Sequence, residues 1–280
     1  MSLAKYEIFS KVVELGSLTK AGKVLGISQS AISHAIANLE KEFGFTLFTR
    51  SRAGINLSPN GERLLQYVDQ IMRINEKMKQ EVADIHGIDF GVVKIACVQD
   101  IAEKWLPGIL VKFIDQYPSI KVKVIVSETK DIYELLQTDE VDFGFTFLEN
   151  RTDFESIGLL ENKLYIVGTY GDSLYNKKLY LPKSFECEAI QSFIENNQIS
   201  VMKEIVLENT NAILEMIKFK LCTAILPELI VKDLPSSFSR KEIYEETPQM
   251  IGITAKSTKN LSSAAEKFVA ISSLWVNQRF

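Results

Sequence analysis

Apolar residues recur at helical spacing through the first 85 residues and then, past Gly91, change to strand-like runs separated by amphipathic helices. A period of 3.6 and a period of 2 bury different faces, so the two stretches cannot belong to one kind of layer. The first stretch, Leu3 to Leu47, is cut by Gly16, Gly26 and Gly44 into three short helices with tight turns, and Leu64 to Ile85 reads as one longer helix. Beyond Gly91, strands are expected at Val92–Val98, Val122–Val126, Val141–Phe147 and Leu164–Gly168, with helices at Ile101–Tyr117 and Ile132–Leu136, which is the alternation of α/β units. At 280 residues the chain has room for two or three compact units.

Composition narrows the function classes. With 46% apolar and 24% charged residues the chain is a folded protein, not a disordered one. No apolar run approaches the roughly 18–20 residues of a membrane span, and Lys5, Glu7, Lys11 and Glu14 stand where a signal peptide would be apolar, so a cytoplasmic protein with no membrane partner is expected. Cys97, Cys187 and Cys222 are too few and too scattered for a disulfide frame or a zinc knuckle. With only His34 and His86, histidine-based metal sites and most Ser-His-Asp arrangements lack their parts, so no metal, cofactor or catalytic residue is expected. The net charge of −4 is uneven: residues 1–58 carry seven Lys/Arg against four Asp/Glu, a balance of +3 that suits an anionic partner for the head alone.

Within the head, Leu3, Tyr6, Phe9 and Val13 form an apolar stripe, Ser17 is placed to cap a second helix with Ala21, Val24 and Leu25 inward, and Ser28 is placed to cap a third over Gln29–Glu42. This is helix-turn-helix spacing. Ile32, Ile36 and Leu39 point the third helix inward and leave Gln29, Ser30, Ser33, His34 and Asn38 outward, a polar and nearly uncharged face. Short hydroxyls and amides can reach base edges in a major groove, although a merely solvated face has the same composition. From Phe45 to Leu57 an alternating run folds back around Arg50, Ser51, Arg52, Ala53 and Gly54, a wing whose two guanidiniums suit phosphate.

These residues resemble a known family. Gly16-Ser-Leu-Thr-Lys-Ala-Gly-Lys-Val-Leu25, Ser28-Gln-Ser-Ala-Ile-Ser33, Leu39-Glu40, Leu47-Phe-Thr-Arg50 and Leu57-Ser-Pro-Asn-Gly61 are similar to the winged helix-turn-helix of LysR-type transcriptional regulators. Gly22 stands where Ala is usual, and Ser30 where Pro is frequent. The resemblance implies sequence-specific binding of double-stranded DNA through Ser17, Thr19, Ser28, Gln29, Ser30, Ser33, His34, Asn38, Arg50 and Arg52, with Arg50 on the backbone, and RNA polymerase as a further partner. Residues 92–280 resemble the family's regulatory region through Trp105-Leu-Pro107, Phe113–Pro118, Val141-Asp-Phe-Gly144 and Ala224-Ile-Leu-Pro227, while Lys220 and Cys222 replace glycines common there.

The implied fold class is α/β: an N-terminal all-α winged helix-turn-helix, a linker helix, and a two-lobed α/β effector domain like a type 2 periplasmic binding protein. The expected domains are 1–60, 61–89 and 90–280, with lobe I at about 90–160 and 263–280 and lobe II at about 161–262. The C-terminal stripe of Leu261, Ala265, Phe268 and Trp275 needs a sheet to cover, which returns it to lobe I.

In the linker, Leu64, Val68, Ile71, Asn75, Met78, Val82 and Ile85 alternate steps of four and three, a heptad seam that wants a partner helix and predicts a homo-oligomer, dimer or tetramer; packing on its own domain would also use it. A small-molecule effector is expected beyond the carboxyl ends of the strands, at Gln99, Asp100, Thr129, Thr146, Phe147, Asn209 and Thr210, with Ile205–Leu207 as the strand before the last two. Each polar residue in that set could be a plain helix cap. Asp100 at a helix start would compete with an anion, which favours a cationic, zwitterionic or neutral effector. An enzyme on the same lobed fold would need a cluster of acid, base or nucleophile, and none is visible.

Overall fold

The computed structural model describes the chain except Met1, Arg52, Ala53, Asn150, 170–177, 182–187, 202–208 and 244–249; the side chains of Arg50, Ser51, Glu188 and Ala189 are outside the described set as well. It divides into two compact units, Met1–Gly91 and Val92–Phe280.

The first unit begins with α1 (Leu3–Leu15), α2 (Leu18–Leu25) and α3 (Gln29–Phe43), followed by the hairpin of β1 (Phe48–Ser51) and β2 (Gly54–Leu57) and the long α4 (Pro59–Ile85). Ser17 and Ser28 cap α2 and α3 as expected, accepting from the amides of Lys20 and Ala31. Ser58 does the same for α4 through Gly61. The core consists of Tyr6, Phe9, Ile36, Leu39, Leu47 and Val68, beside a smaller cluster of Val12, Ala21 and Ile32. The buried stripe of α1 is thus Tyr6, Phe9 and Val12, three residues apart on one face, with Val13 packed half-buried beside it; Leu3 and Val24 of α2 are exposed. Gly22 is needed where it stands: a Cβ there would lie 2.7 Å from the Ile27 carbonyl oxygen, so α2 meets the turn to α3 more closely than Ala allows.

The second unit holds two sheets. The five-stranded sheet runs β4-β3-β5-β11-β6, built from β3 (Gly91–Cys97), β4 (Ile120–Val126), β5 (Phe143–Phe147), β6 (Glu155–Glu161) and β11 (Met250–Ala255). The four-stranded sheet runs β10-β7-β9-β8, from β7 (Leu164–Thr169), β8 (Leu179–Tyr180), β9 (Thr223–Pro227) and β10 (Phe238–Ile243). Helices α5 (Gln99–Lys104), α6 (Leu106–Gln116), α7 (Thr129–Gln137) and α11 (Ser263–Arg279) accompany the first sheet, and α8 (Glu188–Asn196), α9 (Thr210–Lys218) and α10 (Glu228–Val231) the second. The chain leaves the first sheet after β6 and has returned by β11, so the crossing back lies before Met250 and not at 263: β11 pairs between β5 and β6, where its apolar Ile251 and Ile253 are buried. The single helix expected over Ile101–Tyr117 is two, interrupted at Trp105, because Pro107 in the first turn of α6 cannot donate to the turn before it. Trp105, Phe113, Phe143, Phe145 and Phe268 are fully buried in one core that α11 covers, with Phe113 and Phe268 rings 4.7 Å apart. The expected C-terminal stripe does return to the first sheet.

In the first unit, the wing base and α4 meet without room for a methyl group. A Cβ on Gly61 would lie 2.3 Å from the Leu47 carbonyl oxygen, which already accepts from the Ser58 amide. Gly61→Ala is expected to cost about 1–3 kcal/mol as an overpacked contact. The check is a lower urea midpoint for the head with unchanged slope; an unchanged midpoint would contradict the contact.

Candidate nucleic-acid interface and ligand cleft

In α3, Ile32, Ile36 and Leu39 are buried, so the opposite face is fixed outward by packing and not by its own chemistry. Gln29, Ser30, His34 and Asn38 are exposed and Ser33 is half-buried, as are Ser17 and the strand residue Ile55 nearby in sequence to the wing tip; Thr19 and Ser28 are exposed. The Ser28 and Ser30 hydroxyls lie 2.8 Å apart at the start of α3, where orphan backbone N–H groups also face outward. Arg50 lies in β1 opposite Ile55, with its side chain outside the described residues, and Arg52 is outside them altogether.

Sequence reasoning missed the group that joins helix to wing. Glu40, on α3, accepts from the Leu47 amide at 2.7 Å and from the Phe48 amide at 3.3 Å through one carboxylate oxygen. Those two donors start β1, so the wing is hung from the third helix by charge-assisted hydrogen bonds. The available signal was an acid directly after the buried Leu39, too near the inward stripe to be a solvated charge.

Along α4 the expected seam divides. Val68 is buried and Leu64 half-buried in the head's own core, so these two expected seam residues face α1. Their stripe is taken by α1, which packs on α4. Exposed instead are Tyr67, Ile71, Ile74, Met78, Val82 and Ile85, again in steps of three and four, with Asn75 half-buried beside them. Ile74 is 67% exposed, an unusual position for a large β-branched apolar side chain unless something covers it.

In the second unit, Asp100 and Thr210 come together from the two sheets. Thr210 Oγ1, in the first turn of α9, donates to Asp100 Oδ1 at 2.8 Å in the first turn of α5. The others do not join them equally. Gln99 is exposed but its amide is bound to Glu103, and Asn209 is exposed with its carbonyl capping α9 at Ala212. Thr129 is half-buried at the start of α7. Thr146 and Phe147 must be corrected: Phe147 is 9% exposed and belongs to the core, and Thr146 is fully buried, its hydroxyl 3.1 Å from that of Thr254 and bonded to the Tyr133 hydroxyl. The cause is strand parity, since Thr146 shares the sheet face of Gly144, on which Ile132 of α7 packs. Ile205–Leu207 and Cys187 lie outside the described residues. Cys97 and Cys222 are buried, and burial pushes the Cys97 thiol up to about 12, which disfavours its thiolate at neutral pH. Among the described residues no group of His, Cys, Asp and Glu could hold a metal ion, and no helix is long and apolar enough to cross a membrane.

Burial raises the Asp100 carboxyl above its usual range, opposed by the Thr210 bond, reinforced by Glu103 and opposed again by Lys104. The folded chain therefore holds that proton more tightly than the unfolded chain, and stability is lost as pH rises through the raised value. Asp100→Asn, which still accepts from Thr210, is expected to raise the Tm of the second unit at pH 7, with the gain shrinking towards pH 4; a lower Tm at pH 7 would contradict this.

Comparison with known proteins agrees with this arrangement. Residues 3–62 match the bacterial regulatory helix-turn-helix protein, lysR family, and residues 87–273 match the LysR substrate binding domain. The chain is 25% identical to the HTH-type transcriptional regulator YvbU of Bacillus subtilis over 96% of its own length and 97% of that protein. It is 28% identical to the probable regulator LrrA of Synechococcus elongatus, over 90% of each. Its fold is shared with Corynebacterium glutamicum OxyR (TM-score 0.69, 18% identity, 99% of this chain and 93% of that one) and with CbnR solved on its target DNA (TM-score 0.55, 21% identity, 98% and 100%). Since its two matched regions together span most of the sequence and include the helix-turn-helix and the two-sheet unit just described, the chain belongs to the LysR family of DNA-binding transcriptional regulators, a family of regulators and not of enzymes.

Proposed function

We propose that the protein works as a homo-oligomer that reads a partly palindromic operator with α3, grips phosphate with the wing, and is modulated by a small molecule held between the two sheets of Val92–Phe280. The domains would be 1–60 for DNA, 61–89 for pairing and 90–280 for the effector, with the return to lobe I moved ahead of Met250. The observation that carries the reading is the outward face of α3, which is polar, uncharged and anchored from behind by Ile32, Ile36 and Leu39. Acidic side chains there would repel DNA; Gln29, Ser30, Ser33, His34 and Asn38 instead offer donors and acceptors to base edges. Arg50 and Arg52 on the wing suit sequence-independent phosphate contact.

Pairing is supported by the exposed stripe Ile71, Ile74, Met78 and Val82 on α4. A second helix laid along it would remove that apolar surface from water, and two-fold pairing would present two copies of α3 to half-sites about one helical turn, ~34 Å, apart. RNA polymerase is the further partner the reading implies.

Selection of bound duplexes from a random pool tests the reading: two inverted arms are expected, and a single asymmetric arm would contradict it. On the selected duplex, Arg50→Ala is expected to weaken binding to all sequences and flatten the salt dependence, whereas Ser33→Ala changes which base is preferred. Equal effects from both would contradict the assigned roles. Ile74→Glu is expected to shift the protein towards monomer in sedimentation and to weaken operator binding more than tenfold; an unchanged oligomer would place the pairing surface elsewhere.

A further inference from the structure

Between the two sheets, the Asp100 carboxylate forms a hydrogen bond across the lobes but no ion pair among the described residues. The residue is half-buried. Its charged neighbours are Glu103 and Lys104, on its own helix. Both are engaged elsewhere, Lys104 with Asp233 at 3.0 Å and Glu103 with the Gln99 amide at 2.8 Å. From the opposite lobe the carboxylate receives a neutral donor alone, the Thr210 hydroxyl.

A carboxylate offers about four lone-pair positions, and the Thr210 bond uses one of them. A half-buried anion so sparsely satisfied costs the fold stability unless a donor arrives. Two of the neutral groups nearest in the expected set are turned away from an anionic ligand: the Gln99 amide binds Glu103, and Thr146 is fully buried on the sheet face that Ile132 of α7 covers. A carboxylate or phosphate ligand entering here would meet the Asp100 charge in a poorly screened setting, where Glu103 adds to the repulsion and the nearby Lys104 is already paired with Asp233. An ammonium or guanidinium would meet the opposite.

We propose that the effector is a cation, a small molecule bearing an ammonium or guanidinium group that pairs with Asp100 between the two lobes, in place of or alongside the Thr210 hydroxyl. The proposal rests on reading the interlobe space as the effector site, and gives that site its ligand class. It also assigns the Asp100–Thr210 bond a role in the ligand-free protein, as the contact that ties the lobes until a stronger donor engages the carboxylate.

The test is calorimetry and thermal shift on the full chain with putrescine, agmatine and L-arginine, against succinate and benzoate. At least one of the three cations is expected to bind and raise the Tm, and neither carboxylate to do so. Asp100→Asn is expected to weaken that cation about tenfold or more, as loss of a charge-assisted bond requires. Thr210→Val, which keeps the carboxylate, is expected to hold the cation within about threefold, and it carries the test if Asp100→Asn does not fold. If none of the cations binds, the assignment is overturned. If succinate or benzoate binds and Asp100→Asn tightens or weakens it, the charge class falls while the interlobe site stands. If a cation binds wild type and Asp100→Asn equally, both the pairing and the site reading fall.

Discussion

The head depends on the burial of one stripe. Ile32, Ile36 and Leu39 of α3 sit against α1, α2 and the wing base, and fully burying a side chain of this kind contributes roughly 1.5–3 kcal/mol. Because that stripe is inside, the polar face has no choice of direction. Glu40 then holds the start of β1 to the same helix, which ties the wing to α3. Gly61 lets α4 start directly against Leu47, and the helix that carries the exposed apolar stripe is thereby fixed to the helix that carries the polar one.

Much of this could be read in the sequence because the head obeys local rules. Ser17 and Ser28 are hydroxyls placed before apolar-periodic runs, and both cap the helices they precede. The wing hairpin, the switch to α/β after Gly91 and the return of the C-terminal helix follow from periodicity in the same way. What periodicity could not give is which neighbour an apolar residue meets. Leu64 and Val68 belong to the same arithmetic series as Ile71 and Met78, yet α1 covers the first two and leaves the others bare. Thr146 was placed at a strand end, where ligands gather, but whether a strand residue faces a cleft or a covering helix is a matter of parity that only the packing of α7 decides. The break at Trp105 was signalled by Pro107 and was still missed, because the apolar pattern continues through it.

The regulatory unit joins two sheets through chain crossings and a long-range hydrogen bond between residues 110 positions apart. An effector that engages Asp100 would change the free energy of that contact, and a ligand shifts a conformational equilibrium only by its differential affinity for the two states. On the proposed reading, Asp100 is where ligand chemistry and lobe arrangement would meet, since its carboxylate accepts the Thr210 bond across the lobes. The buried thiol of Cys97, by contrast, packs in the first sheet's core, where burial disfavours its thiolate.

The central claim is that the polar face of α3 and the wing contact DNA while Val92–Phe280 does not read it. Amide hydrogen exchange of the full chain, with and without a selected operator duplex, tests this most directly. The account predicts added protection concentrated over Ser28–Asn38 and Phe48–Leu57. Protection confined to Val92–Phe280, with the α3 amides exchanging as in the free protein, would contradict it.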